Sequence, residues 1–328
     1  MQINSKFPYF SSSKNVWWIK TVLLLILLFL LYKLLNEKIK HFEEIKQSFD
    51  VFKSTQNQFL IVLVIAITPI NWAFEALKWQ KLVSKVERIS FFEAYRGVLI
   101  GLTFATATPM MIGDYAGKIL MLKSNKRLES IGAVLLGNSL QLYTSLLFGT
   151  ISYSLFIFWS KPSFLIFHII IVSLFLVSLT LGFILARNLP NLNQFLSKNK
   201  WLSQLKPYIG ILENYSIAET KVLLLIAIGR YLIFSTQFYL MFHIFQVDLS
   251  ASVLWVGIGL IFLGKTVASV LNFLGDLSIR ELTSIYYFSY FGANLAAVSS
   301  ATFTIWLVNV LLPIIFGIFF IIKIRLIP

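Results

Sequence analysis

The chain has 328 residues, 58% of them apolar and 16% aromatic but only 13% charged, with a mean hydropathy of +0.80. Charged residues make up roughly a quarter of an ordinary soluble domain, so this chain cannot cover its apolar surface in water, and soluble enzymes, nucleic-acid modules and disordered scaffolds are excluded in favour of an integral membrane protein. The 28 Lys and Arg against 14 Asp and Glu then point to cytoplasmic loops and anionic lipid, not to nucleic acid.

Lys6, Lys14 and Lys20 flank a first apolar run, Ile19 to Leu35, that no small-x-small cleavage site follows, so an uncleaved anchor helix is expected. Leu35, Ile39, Phe42, Ile45, Phe49 and Phe52 recur at helical spacing among Lys and Glu, the pattern of an amphipathic helix on the membrane surface. Further apolar segments run Phe59–Leu77, Phe92–Ile112, Leu128–Phe158, Ser163–Ala186, Val222–Phe245, Val253–Leu274 and Asn294–Ile322. Each can cross a hydrocarbon core of ~30 Å. Two of them are interrupted. The first ends in Thr103 to Pro109 followed by Gly113-Asp114; the second ends in Asn272 to Gly275-Asp276, followed by Arg280-Glu281 and the short apolar stretch Leu282–Phe291. Irregular backbone at membrane depth survives only against protein or a wet cavity, so both are expected to be re-entrant or broken helices.

The two breaks match. Gly113-Asp114-Tyr115-Ala116-Gly117-Lys118 and Gly275-Asp276-Leu277-Ser278-Ile279-Arg280 both read Gly-Asp-x-small-x-basic, at an offset of 275 − 113 = 162. The same shift lays Phe59–Leu77 and Leu128–Phe158 on apolar spans, which argues for a duplicated unit. Loop charge orients it: with Lys78, Lys81, Lys85, Arg88, Lys123, Lys126 and Arg127 inside, the first break enters from the cytoplasm and the second from outside. The expected architecture is an all-α polytopic membrane protein with an inverted repeat, two re-entrant or broken helices, about six full spans and both termini cytoplasmic. It forms one membrane domain over 1–328: an anchor and amphipathic helix (1–58), repeat one (59–158), a connecting span with a cytosolic amphipathic segment (159–220) and repeat two (221–322).

At these breaks the chain resembles the lysylphosphatidylglycerol synthase transmembrane-region family, also described as flippase-like. The residues that carry the likeness are Pro109, Gly113-Asp114 and Lys118, and the run Gly275-Asp276-Leu277-Ser278-Ile279-Arg280-Glu281. The sequence departs from the family pattern where Lys118 stands for the usual Arg, where Asp276 and Ser278 replace glycines, and where no proline precedes Gly275. In the namesake enzymes the membrane part moves aminoacylated phosphatidylglycerol outward and a soluble domain makes it. The resemblance implies, for this chain without that soluble domain, a flippase-like unit of a bacterial inner membrane.

Read for chemistry, a half-helix starting near Asp114 or Asp276 would aim free N–H groups at the break, with the acid as cap and Lys118 or Arg280 one turn on. Two such ends from opposite faces would make a cationic seat for a lipid phosphate; the structural alternative is a cap with an intrahelical salt bridge. Arg230 and Lys265 lie mid-span, where a charge costs at least ~2.5–3.5 kcal/mol, so each requires a wet cavity or a partner such as Glu75, Asp276 or Glu281. Trp72, Lys78, Trp79, Glu93 and Arg96 read as an interfacial belt, and Asn138, Ser139, Gln141 and Tyr143 as lining a polar cavity or bonding between helices. Gly259 to Thr266 satisfies GxxxxGK[ST] inside a membrane helix, without the strand and loop a phosphate-binding loop requires, so no ATP is expected. Cys is absent and His41, His168 and His243 are scattered, so no metal or cofactor is expected. The expected function is binding and translocation of a membrane lipid with an anionic or aminoacylated headgroup, phospholipid or polyprenyl-phosphate in type. The alternatives are a membrane glycosyltransferase-type enzyme or accessory using Asp114, Asp276, Glu281 or Glu75, and a non-transporting assembly partner.

Overall fold

The computed structural model describes residues 49–106, 108, 112–125, 127–191, 194, 202–268 and 276–323. The expected anchor helix and most of the amphipathic stretch after it lie outside the described residues. After a short 3-10 turn at Phe49–Lys53 come α1 (Thr55–Val83), α2 (Phe91–Thr106), α3 (Ile112–Leu120), α4 (Ser130–Ser160) and α5 (Leu165–Arg187). Short turns up to Asn214 lead to α6 (Ile217–Ile244), α7 (Ala251–Ala268), α8 (Asp276–Tyr290), α9 (Leu295–Trp306) and α10 (Leu312–Lys323).

Local chemistry sets several of these ends. Ser216 and Glu219 form a reciprocal capping box at the start of α6, Asn294 caps α9 through two backbone amides, and α4 stops at Lys161 in a left-handed turn. Between α9 and α10 the helix widens into a π turn, Leu307–Leu311. Pro313 follows at once; it has no N–H to return to the Asn309 carbonyl, a local reason for the wider turn.

Among the described residues, four segments are long and apolar enough to cross a membrane: Thr55–Val83, Arg127–Ser160, Leu165–Arg187 and Leu295–Lys323. α6, with 28 residues, is about 42 Å long and reaches as far. α5 buries only Leu179 and leaves Ile166, Phe167, Leu174, Phe183 and Leu185 exposed. An apolar surface of that extent belongs in lipid, and the molecule is a multi-pass membrane protein.

Both sequence breaks are helical hairpins. In the first, α2 and α3 run antiparallel in such close contact that a Cβ added at Gly117 would collide with the Gly101 backbone, and one at Gly113 with Phe104. In the second, α7 and α8 approach through side chains, Gly264 facing Thr283 and Gly257 facing Tyr287 and Phe288, with Tyr287 Oη donating to the Val253 carbonyl at 3.0 Å.

Shifted by 162, the first residues of α1, α2, α3 and α4 become 217, 253, 274 and 292; the observed starts of α6, α7, α8 and α9 are Ile217, Ala251, Asp276 and Leu295. Packing repeats as well: α2 lies on α10, where Gly317 meets Thr103 and Leu99, and α7 lies on α4, where Gly149 meets Leu263 and Gly259 meets Ser152. Each hairpin therefore packs against the long helix of the other half. At the centre α1 and α6 cross antiparallel. Glu75 pairs with Arg230 at 3.3 Å, and seven residues earlier on α1 the Gln237 amide donates to Thr68 at 3.0 Å, seven residues later on α6.

Candidate functional site

The buried face of α1 carries Thr68, Asn71, Glu75 and Lys78, a stripe at three-to-four spacing that falls on one side of a helix. Glu75 is its hub. One carboxylate oxygen contacts Lys78 Nζ at 2.8 Å and Arg230 Nη1 at 3.3 Å, and the other accepts from Lys118 Nζ at 3.1 Å. Lys118 also donates to Asp114, one turn back on α3, at 2.9 Å. Asn138 of α4 donates to that same Asp114 oxygen at 3.3 Å, and Gln141, one turn along α4, accepts from Arg230 at 3.3 Å. The contacts close a ring through α1, α3, α4 and α6.

Inside the ring stand three cations and two carboxylates, an excess of one positive charge. Such a group resists burial unless its members are paired and bonded, and here almost every charge has an opposite within reach. Lys78, Lys118 and Glu75 are sealed, at 1%, 3% and 7% side-chain exposure, whereas Arg230 and Asp114 reach 17% and 15%. These two are the accessible edge. The Arg230 guanidinium lies 4.9 Å over the Trp72 ring and Lys118 Nζ 5.9 Å over Trp79, a favourable setting for a cation in a dry site. Arg230 Nε and both indole N–H groups find no hydrogen-bond partner among the described residues, so donors are in surplus here as well as positive charge.

The structure thus joins Lys118, Asp114 and Arg230, and adds Glu75 as the hub. Gly113 sits one residue before Asp114, its backbone N–H donating to the Thr108 hydroxyl at 2.7 Å. That bond corrects the expected cap: Thr108 serves the start of α3, while Asp114 lies inside the first turn and pairs with Lys118. Arg280, buried at 1%, stacks 5.3 Å over Phe234, one turn beyond Arg230 on α6. Lys265, in the last turn of α7, and Glu281, on α8, are half-buried. Asp276 opens α8; its side chain and Gly275 lie outside the described residues.

A second correction concerns the belt. Trp72, Lys78 and Trp79 are buried, at 7%, 1% and 1% exposure, because they lie on the α1 face turned toward α3 and α6 and not toward headgroups. Asn138 and Gln141 bond between helices, as one of the two expected readings had it. Glu75, expected as a partner for Arg230, does pair with it, whereas Lys78 is the site residue that sequence reasoning placed poorly, though its spacing from Thr68, Asn71 and Glu75 was a visible signal.

No curated protein and no solved structure matches the chain. The hairpin that carries Gly113, Asp114 and Lys118 and the helix that carries Arg280 both fall within residues 17–317, which match the family model of the lysylphosphatidylglycerol synthase TM region, and the chain belongs to that family.

Proposed function

We propose that the ring around Glu75 is the headgroup seat of a lipid translocator whose substrate is an anionic or aminoacylated lipid. The family is one of lipid-handling membrane proteins, and the observation that carries the reading is the ring's charge. At a depth where a lone charge is expelled, five ionisable groups converge with one positive charge over and donors to spare. A phosphate meeting Arg230 at the open edge would take up that excess by charge-assisted bonds, while Asp114, the other open group, could hold an amine on an aminoacylated headgroup.

The antiparallel crossing of α1 and α6, equivalent under the 162-residue shift, supports an inverted repeat, with the α2–α3 and α7–α8 hairpins re-entering from opposite faces. Rocking of one half against the other would expose the seat to either leaflet. Both carboxylates are held by cations, which leaves neither poised as a base and favours carriage over glycosyl transfer. On this reading the protein is a multi-pass inner-membrane protein with both termini cytoplasmic.

The test is the lipid that leaves the membrane with the protein. Native mass spectrometry of the detergent-extracted chain is expected to show a bound lipid with an anionic or aminoacylated phosphate headgroup. Lipids retained only in proportion to the bulk membrane would count against the reading.

A further inference from the structure

A different cation lies on α2 among aromatic rings. Arg96, half-buried, lies 4.3 Å from the Phe92 ring centroid and 5.4 Å from that of Phe320 on α10, and the two rings meet edge to face at 6.4 Å. Arg96 makes no hydrogen bond and no ion pair among the described residues. Glu93, one turn back, is turned to the backbone N–H and hydroxyl of Ser90 at 2.8 and 2.9 Å. Three residues after Phe320, on the same face of α10, Lys323 Nζ stands 4.2 Å over the Phe319 ring. Phe92 and Phe319 are exposed, at 54% and 50%.

The seam between α2 and α10 therefore presents two cations bedded on lipid-facing aromatic rings, with no carboxylate bonded to either among the described residues. It lies where α2 begins and α10 ends. A guanidinium beside aromatic rings still has N–H groups that suit the oxygens of a phosphate. We propose that this seam binds the phosphate of an anionic lipid drawn from the surrounding leaflet, as a second site apart from the ring around Glu75. The site has a mechanical consequence. Gly97, next to Arg96, faces Lys118 and Met121 of the first hairpin, so a lipid bridging α2 to α10 braces the element that carries Lys118.

The proposal stands independently of the translocator reading, and one titration separates them. The purified full chain is titrated with phosphatidylglycerol, with phosphatidylcholine of the same acyl chains, and with inorganic phosphate, and bound molecules are counted by native mass spectrometry. The wild type is expected to hold two phosphatidylglycerol molecules, R96Q/K323Q one, and R230Q to keep the seam lipid. Each seam charge removed should weaken the second binding step about fivefold. Lys323→Gln alone, at an exposed helix end, must show that weakening even if a buried variant fails to fold. Unchanged binding in R96Q/K323Q overturns the proposal, as does equal uptake of phosphatidylcholine or displacement of the lipid by inorganic phosphate. A loss confined to R230Q would leave the ring reading standing and the seam refuted; a loss confined to R96Q/K323Q would do the reverse.

Discussion

In the first half of the molecule Lys118 is met by two carboxylates, Asp114 on its own helix and Glu75 on α1. In the second half Arg280 stands at the matching position, and the residue that matches Glu75 is Gln237. Its amide donates to the Val64 carbonyl and to Thr68, and Thr68 is in turn the match of Arg230. The two crossings of α1 and α6 thus share a geometry and differ in chemistry, one an ion pair and the other a neutral hydrogen bond. The positions related by the 162-residue shift share their helical setting, while the charge lies on one side of the centre. On the proposed reading, a phosphate would find a single strong seat.

The largest expected effect breaks the charged side alone. Glu75→Ala leaves Lys78, Lys118 and Arg230 buried with only Asp114 to balance them, and should cost about 3–5 kcal/mol in thermal or denaturant unfolding. Gln237→Leu on the neutral side removes one hydrogen-bonding amide at similar volume and should cost about 1 kcal/mol. Equal losses would erase the contrast between the halves. A swap sharpens it: E75Q/Q237E should remain at least as unstable as E75Q, because the carboxylate has moved while the three cations have not. Recovery to wild-type stability would mean that the halves are electrostatically interchangeable.

The hairpins differ in the same sense, and the expected effect is smaller. α2 and α3 touch backbone to backbone at Gly101 and Gly117, so Gly117→Ala should cost about 1–3 kcal/mol by overpacking. At Gly264 an added Cβ meets the side chain of Thr283, which can rotate away, and Gly264→Ala should fall below about 1 kcal/mol in the same unfolding measurement. The smallest effect tests the link between α1 and the π turn. The Asn71 amide donates to Asn309 at 3.0 Å, and a double-mutant cycle of the two alanine variants should return a coupling of about 0.6 kcal/mol. A coupling near zero would show that the contact does not tie the halves together.

Much of this plan was legible in the residues. The Gly-Asp-x-small-x-basic pair set the 162-residue offset, and the helix starts follow it to within a few positions. The helices that flank each break pack antiparallel, as the small residues near the breaks suggested. The site was legible only in part. Lys118, Asp114 and Arg230 stood out because charges in apolar runs are rare, and Glu75 was legible as a partner for Arg230, but Lys78 lies close enough to a run's end to read as interfacial, with Trp72 and Trp79 as belt partners. Hydropathy reports depth along a helix and not which side faces protein; the i, i+3, i+4 stripe from Thr68 to Lys78 was the cue to the buried face. The cap at Thr108 was hidden for a similar reason, since the residue that serves a helix start depends on where the backbone first turns.

The central claim is that the ring around Glu75, with Lys118 inside it and Arg230 at its open edge, seats the transported headgroup. Leaflet exchange of a headgroup-labelled anionic lipid in proteoliposomes, measured for the wild type and for stably folded Lys118→Ala and Arg230→Gln, tests it most directly. The account expects each variant to lose tenfold or more of the exchange rate, the equivalent of about 1.4 kcal/mol of lost interaction. Wild-type exchange in both would contradict it.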